Sequence, residues 1–150
     1  MKIDIKLIKQ LREETQVSIA DCTKALTEAK GDYEKAIELL KQRGIERAEK
    51  KSDRATGQGL VEAYIHQNGK VGVLLEILCE TDFVARTEDF KRLAHEVAMQ
   101  IAAMNPKDIV ALLKQEYIRD GSVTIENLIK QTIGKLGENI VIKQFTRFEI

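Results

Sequence analysis

The dipeptide Asn68-Gly69 constrains the fold of this chain more than any other feature. It lies in segment 67–70, between two runs rich in apolar and β-branched residues at 60–66 and 71–79. Because Asn and Gly both adopt positive φ readily, the pair favours the tight turn of a β-hairpin. Apolar residues occupy both faces of the second run, so we predict a central strand with both faces largely covered. The chain must therefore contain an antiparallel sheet.

Helical patterns precede this hairpin. Apolar residues at helical spacing predict three short helices within residues 4–44, which begin at the caps Asp4, Ser18 and Asp32 and end, for the third, at Gly44. In the second helix, the residues expected to face inward are Ile19, Cys22, Leu26 and Ala29. A helical bundle of this size is near the lower limit for independent folding. It resembles the ubiquitin-associated (UBA) type of module.

Helical patterns also follow the hairpin, and the last segment of the chain alternates apolar and polar residues. We predict helices from Thr87 to the Asn-Pro pair at 105–106, within 108–120 up to a break at Gly121-Ser122, and from Thr124 to Gly137. The alternating segment 140–148 should return as a strand beside the hairpin. The predicted fold class is α+β: a UBA-like three-helix bundle, then a three-stranded antiparallel sheet with helices on one side.

The change from helical to strand periodicity divides the chain into three segments. Residues 1–44 form the bundle, residues 45–57 are dense in mixed charge and poor in large apolar side chains, and residues 58–150 form the core domain. The middle segment therefore reads as a solvated linker.

The charge balance and the cysteines exclude several classes of function. Lys plus Arg number 24 and Asp plus Glu number 24, so no net positive charge favours nucleic acid. Cys22 and Cys79 lie far apart in apolar patterns, which predicts reduced core residues rather than a disulfide or zinc site. No apolar stretch is long enough to span a bilayer, so we expect a cytoplasmic protein without a membrane partner.

The sequence contains no pattern typical of a catalytic or cofactor site. Phosphate-binding glycine motifs are absent, and the two histidines, His66 and His95, are isolated from other metal-ligating or catalytic side chains. We therefore predict no enzyme activity, no cofactor and no metal site.

One segment is unusual for a purely structural sequence. Asp82 and Phe83 stand side by side directly after the second predicted strand, where Gly, Asn or Ser would be typical of a turn. Two interpretations stay open from these residues alone. Either Asp82 caps the following helix and Phe83 enters the core, or both are exposed to contact a partner.

Four segments, in this order along the chain, resemble the translation elongation factor Ts family. They are 11–26 (LREETQVSIADCTKAL), 76–86 (EILCETDFVAR), 135–140 (KLGENI) and 147–149 (RFE). Members of this family are guanine-nucleotide exchange factors for the GTPase elongation factor Tu. The resemblance implies that function here.

The resemblance also implies site residues. In the family, the segment that matches Thr81, Asp82, Phe83 and Val84 enters the GTPase near its Mg²⁺ site, where Phe83 would act as a wedge and Asp82 would make polar contacts. The bundle face would contribute partner contacts through Arg12, Ile19 and Lys24. The turn formed by Leu136, Gly137, Glu138 and Asn139 either ends a helix or contacts the partner.

The chain departs from the family pattern in several respects. Leu78 stands where family members usually have Asn before the cysteine of the second motif. Ala20 and Thr23 stand where a larger Met and a Lys are common, so we expect weaker bundle contacts. The chain also lacks the long helical hairpin expected between Pro106 and Thr124, and the second core subdomain of longer members. Some short members recover that second half by dimerising through the terminal strand. Because segment 140–148 is β-prone and should be an exposed edge, we predict a non-covalent homodimer through it.

Two other classes of function remain as alternatives. A UBA-like adaptor would hold its partner through residues 1–50 alone. An RNA-binding surface on the linker and sheet would bind with a steep salt dependence.

Overall fold

A computed structural model describes residues 2–150 of the chain. Three helices at the N-terminus are followed by a mixture of strands and helices in the C-terminal two thirds. Their order is α1 (Ile5–Thr15), α2 (Ile19–Glu28), α3 (Tyr33–Glu49), β1 (Gln58–Ile65), β2 (Val71–Cys79), α4 (Asp82–Ala85), α5 (Glu88–Met104), α6 (Ile109–Lys114), β3 (Glu116–Tyr117), β4 (Asp120–Thr124), α7 (Ile125–Leu136) and β5 (Val141–Glu149). The α+β prediction is confirmed.

The N-terminal bundle begins each of its helices as the sequence predicts. The side chains of Asp4, Ser18 and Asp32 accept hydrogen bonds from backbone N–H groups in the first turns of α1, α2 and α3. Each cap replaces a hydrogen bond that the free helix end would lack. The buried core of the bundle consists of Leu11, Cys22, Ala25, Leu26, Ala29, Ala36 and Leu40.

The inward orientation predicted for Ile19 is wrong. This side chain is 60% exposed, although Cys22 and Leu26 on the same helix are fully buried. Ile19 is the first residue of α2, at the end of the helix, and the neighbouring helices do not cover it. Helical spacing gives the face of a side chain but not how far along the helix the covering elements reach.

The third helix does not end at Gly44 but continues to Glu49. Its second half packs against α7, and Ala48 is buried in the core of the C-terminal part. At the crossing, a Cβ atom on Gly134 would lie 2.5 Å from the Cα of Gly44, so two glycines let the helix backbones touch. The charged side chains at 45–49 occupy the remaining faces of this helix. The wider division into 1–44, 45–57 and 58–150 stays a prediction.

The main sheet is antiparallel with the order β1-β2-β5, so the predicted hairpin, central strand and returning strand are confirmed. Gly69 in the hairpin turn has a φ of 71°. The expectation that both faces of β2 are largely covered is wrong for one face. Leu74 is 52% exposed, whereas Leu75 is fully buried. The helices cover only the face that carries Leu75.

Helix α5 supplies most of the cover on that face. Its apolar stripe is buried as predicted: Phe90, Leu93, Ala94, Val97, Ala98, Ile101 and Ala102. Together with Val73, Leu75 and Ile77 of β2, these side chains form one core. Burial on this scale removes much apolar surface from water and makes the sheet a rigid support for the residues at its ends.

A small second sheet lies where a helix up to Asp120 was expected. The helix α6 ends at Lys114, and β3 pairs with β4 in a two-stranded hairpin. The fully buried amide of Gln100 stabilises it. The Gln100 Nε2 donates to the Glu116 carbonyl oxygen at 3.0 Å, and its Oε1 accepts from the Ile118 backbone N–H at 3.0 Å. These bonds come from a distant helix, which local sequence patterns do not reveal.

Candidate protein-binding site

The segment that follows β2 forms a single helical turn, α4. Thr81 is its N-cap, and the Thr81 Oγ1 accepts a hydrogen bond from the Val84 N–H at 3.4 Å. Phe83 is 87% exposed, whereas Ala85 two residues later is buried. The interpretation in which Asp82 is the cap and Phe83 a core residue is therefore wrong. A large aromatic side chain projects into solvent at the end of the central strand.

Asp82 lies beside Phe83 on the exposed side of this turn. Its carboxylate forms an ion pair with Arg86 at 2.6 Å, four residues later in the chain. The Asp82 and Arg86 side chains are 53% and 79% exposed, so water screens this pair and its contribution to stability is small. Val84 packs partly against the core on the opposite side of the turn. Asp82 and Phe83 thus form an outward-facing pair.

The Glu138 carboxylate holds the start of this turn. One of its oxygens accepts a hydrogen bond from the Thr81 backbone N–H at 2.9 Å, and the other accepts from the Thr81 hydroxyl at 2.7 Å. Glu138 follows the end of α7, where Gly137 has the left-handed φ of 79° that ends the helix. The helix-ending turn predicted for this block is present. The Glu138 side chain in this turn accepts hydrogen bonds from Thr81 of the same molecule.

The Glu80 carboxylate forms a reciprocal hydrogen bond, for which the turn after α7 supplies the donor and the end of β2 supplies the acceptor. The Glu80 Oε1 accepts from the Asn139 backbone N–H at 2.9 Å and lies 3.5 Å from the Arg54 guanidinium. Asn139 is 4% exposed, and its amide Nδ2 donates to the backbone carbonyls of Arg54 at 2.9 Å and Ser52 at 3.3 Å. The segments 52–54, 80–81 and 138–139 are therefore joined by a network of hydrogen bonds.

Cys79 adds a further contact beneath Thr81. Its buried thiol donates to the Thr81 carbonyl oxygen, with Sγ and O 3.1 Å apart. Burial raises the pKa of this thiol, and the nearby Glu138 carboxylate raises it further. The group therefore stays protonated near neutral pH and keeps its role as a donor. Cys22 and Cys79 are both free and buried, as predicted.

The three predicted bundle residues are all exposed. Arg12 lies on α1, and Ile19 and Lys24 lie on α2. They belong to a different part of the fold from α4, since the bundle packs on the core mainly through α3 and α7. The molecule thus presents two separate exposed surfaces.

Within residues 2–150, no group of three or more His, Cys, Asp or Glu side chains has an arrangement that could hold a metal ion. No helix in this described part is long and apolar enough to cross a membrane. His95 of α5 is half-exposed, lies 3.8 Å from the Glu62 carboxylate of β1 and packs edge-on against the Tyr64 ring.

The network around Thr81 includes residues that the sequence did not reveal as functional, namely Glu80, Arg54 and Ser52. The available signal was that segments 76–86 and 135–140 both match one family. They do not reveal which side chain accepts a hydrogen bond from which backbone group.

The fold and this surface define a class of protein: an α+β protein with a helical bundle, which presents an exposed aromatic side chain on a rigid turn. Protein interfaces use buried aromatic side chains of this kind as anchors. Comparison with known proteins identifies the family. Residues 80–150 match the model of the family described as elongation factor TS.

Curated relatives match over the whole chain. Elongation factor Ts of Coprothermobacter proteolyticus is 43% identical, with 100% of this chain and 99% of the relative aligned. That of Rippkaea orientalis is 46% identical over 98% of this chain and 78% of the relative. The chloroplastic elongation factor Ts of Guillardia theta is 41% identical over 100% of this chain and 90% of the relative. The chain belongs to the elongation factor Ts family, and the predicted resemblance is confirmed.

The alignments also show that this chain is shorter than its relatives internally. The alignment with the Coprothermobacter proteolyticus protein runs over 195 positions, whereas this chain has 150 residues. Between Pro106 and Thr124 the structure holds only the six-residue helix α6 and the small β3-β4 hairpin. That a longer hairpin is missing from this segment stays a prediction.

Proposed function

We propose that this chain is a guanine-nucleotide exchange factor for elongation factor Tu and acts in translation elongation by promoting release of GDP. Membership of the elongation factor Ts family supports elongation factor Tu as the partner. The exposure of Phe83 on an internally bonded turn is the observation that carries the mechanism. The protein does not change a covalent bond in this account.

The proposed mechanism is differential binding. GDP on a GTPase is held largely through its phosphates and the Mg²⁺ that neutralises part of their charge. A factor that binds the nucleotide-free GTPase more tightly than the GDP-bound form must weaken GDP binding by the same free energy. Phe83 would insert between side chains of the GTPase near the metal, and Asp82 would make polar contacts beside it. This displaces the Mg²⁺ and loosens the phosphate site.

Other residues have supporting roles in the proposal. Thr81 caps the turn that presents Phe83, and Val84 fixes its inner side. Arg12, Ile19 and Lys24 would dock the bundle on the GTPase. Among Leu136, Gly137, Glu138 and Asn139, the side chains of the last two are already used inside the molecule, so any partner contact of this block would come from Leu136 and Gly137.

Release of labelled GDP from purified elongation factor Tu tests the proposal. We expect wild-type protein to accelerate release. Phe83→Ala should lower the maximal rate about 30-fold, because loss of an aromatic anchor costs about 2 kcal/mol. Glu88→Ala is the control, because this side chain is 85% exposed at the start of α5 and has no role in the proposal. No acceleration by the wild type would refute the assignment.

We further propose a homodimer through strand β5. This strand is at an edge of the sheet, with Phe148 70% exposed on the open face. Exposed edge strands with apolar side chains favour association with a second copy. Light scattering across the micromolar range should show the dimer, and Phe148→Lys should shift it to monomer. A monomer throughout that range would contradict this part of the proposal alone.

A further inference from the structure

We infer that Glu138 is a positioning residue for Phe83, which acts through Thr81 rather than by contact with the partner. This inference rests on the proposed function. The rate of GDP release then depends on the turn after α7, because two hydrogen bonds within the molecule join Glu138 of that turn to Thr81.

Helix α4 is too short to be stable on its own. A helix of four residues has no intrinsic stability, since isolated helices shorter than about 12 residues are marginal in water. External contacts must therefore fix its direction. Phe83 itself makes no such contact, because it is 87% exposed.

The contacts from Glu138 act on Thr81, the N-cap of α4. Glu138 accepts hydrogen bonds from both the backbone N–H and the hydroxyl of Thr81, at 2.9 and 2.7 Å. The same hydroxyl oxygen accepts from the Val84 N–H at 3.4 Å. Since the two bonds to one carboxylate fix both the backbone and the side-chain rotamer of the N-cap, they fix the axis of the turn. Charge-assisted bonds of this kind are stronger than neutral ones.

Hydrogen bonds to the residues on either side of Glu138 hold its backbone in place. The Asn139 N–H donates to Glu80 at 2.9 Å, and the Lys51 Nζ donates to the Gly137 carbonyl oxygen at 2.9 Å. Glu80 and Glu138 therefore form a reciprocal clamp, in which each strand-end or helix-end segment supplies a carboxylate to the backbone of the other. Lys51 adds a bond from the segment after α3.

A direct role of Glu138 in partner binding would compete with these bonds. Its carboxylate is half-buried, and both of its oxygens already accept hydrogen bonds from Thr81. Drawing the carboxylate outward would leave the Thr81 N–H without its acceptor. The geometry thus favours an internal role.

A double-mutant cycle on GDP release from elongation factor Tu tests the inference. The variants are Glu138→Gln, Phe83→Ala and the double variant. We expect Glu138→Gln to lower the maximal release rate about tenfold, with less than about a twofold change in the half-saturating concentration. In the Phe83→Ala background, the same substitution should change the rate less than about twofold. Glu126→Gln, on the exposed surface of α7, is the matched control.

Thr81 provides a second measurement. Thr81→Ser keeps both donors and should retain the wild-type rate, whereas Thr81→Val removes the hydroxyl and should lower it. Hydrogen exchange at the Thr81 amide should accelerate in Glu138→Gln while amides of β2 stay protected. This readout does not depend on elongation factor Tu.

Different outcomes would overturn the positioning role of Glu138 and the proposed exchange function. Independent, multiplicative effects of Glu138→Gln and Phe83→Ala would overturn the positioning role, as would an unchanged Thr81 amide exchange rate. An unimpaired Phe83→Ala single variant would instead overturn the proposed function.

Discussion

Two exposed apolar side chains, Ile19 and Phe83, are positioned in different ways. Ile19 is the first residue of the ten-residue helix α2, which a local N-cap at Ser18 begins and a local apolar stripe holds in the bundle. Phe83 lies on the four-residue turn α4, whose direction depends on bonds from residues more than 50 positions away. Local signals therefore determine the helix that carries Ile19, although the reach of the neighbouring helices decides its exposure. Long-range hydrogen bonds determine the direction of the turn that carries Phe83.

This difference has a functional consequence. A residue on a long regular helix suits docking, because its direction is fixed with the helix as a whole. A residue on a turn that other segments clamp suits a wedge, since any loosening of the clamp moves it without unfolding the molecule. We therefore expect the bundle surface to affect affinity and Phe83 to affect the release step.

Truncation of Phe90 should have the largest effect on stability. The Phe90 side chain is completely buried in the core, whereas the Phe83 side chain is 87% exposed to water. Phe90→Ala should lower the free energy of unfolding by about 3–5 kcal/mol because it leaves a cavity. Phe83→Ala should change it by less than about 0.5 kcal/mol. Chemical denaturation measures both, and equal losses would contradict the contrast between anchor and core.

Substitution of Gly134 tests the attachment of the bundle to the core. An added Cβ would lie 2.5 Å from the Gly44 Cα, so Gly134→Ala must push α3 and α7 apart. Overpacking of this kind costs about 1–3 kcal/mol. Gly57→Ala is the control, because its added Cβ would meet no atom within 4 Å. Thermal unfolding of the two variants checks the expectation, and equal melting temperatures would contradict the close helix contact.

Acidification should weaken the bundle by a smaller amount. Hydrogen bonds from Arg47 and Ser18 hold the pKa of the Asp21 carboxyl below its ordinary value of 3.8. Because the folded-state pKa is lowered, the stabilisation is present above pH 3.8 and is lost as the pH falls through the folded value. The difference between wild type and Asp21→Asn should be under about 1 kcal/mol near neutral pH.

Urea denaturation of both proteins between pH 2 and pH 6 measures this effect. The difference in unfolding free energy should shrink as the pH falls below about 3.8. Asp53→Asn is a suitable control, since Asp53 forms no salt bridge within residues 2–150. A difference that stays constant across this range would show that the ion pair between Asp21 and Arg47 does not act as described.

The sequence predicted those parts of the fold that depend on local chemistry. The caps Asp4, Ser18 and Asp32, the turn at Asn68-Gly69 and the apolar stripe of α5 are all signals within one helix or turn. The errors lie where a distant element decides the outcome. Gly44 reads as a helix end, but contact with Gly134 makes it a crossing point.

The candidate site follows the same division. The unusual Asp82-Phe83 pair was visible in the sequence, because a large aromatic residue is uncommon in a turn. The hydrogen bonds that Thr81 donates to Glu138 and Asn139 donates to Glu80 connect segments nearly 60 residues apart, and sequence spacing does not encode such a pairing. Family motifs indicated which segments matter but not how they meet.

Saturation curves of GDP release from elongation factor Tu distinguish a wedge role of Phe83 from a docking role of the bundle surface. They compare the wild type with Phe83→Ala and Ile19→Ala at increasing factor concentration. We expect Phe83→Ala to lower the maximal rate with little change in half-saturating concentration, and Ile19→Ala to raise the half-saturating concentration with little change in the maximal rate. Loss of affinity alone in Phe83→Ala, with a wild-type maximal rate, would contradict its role as the positioned wedge.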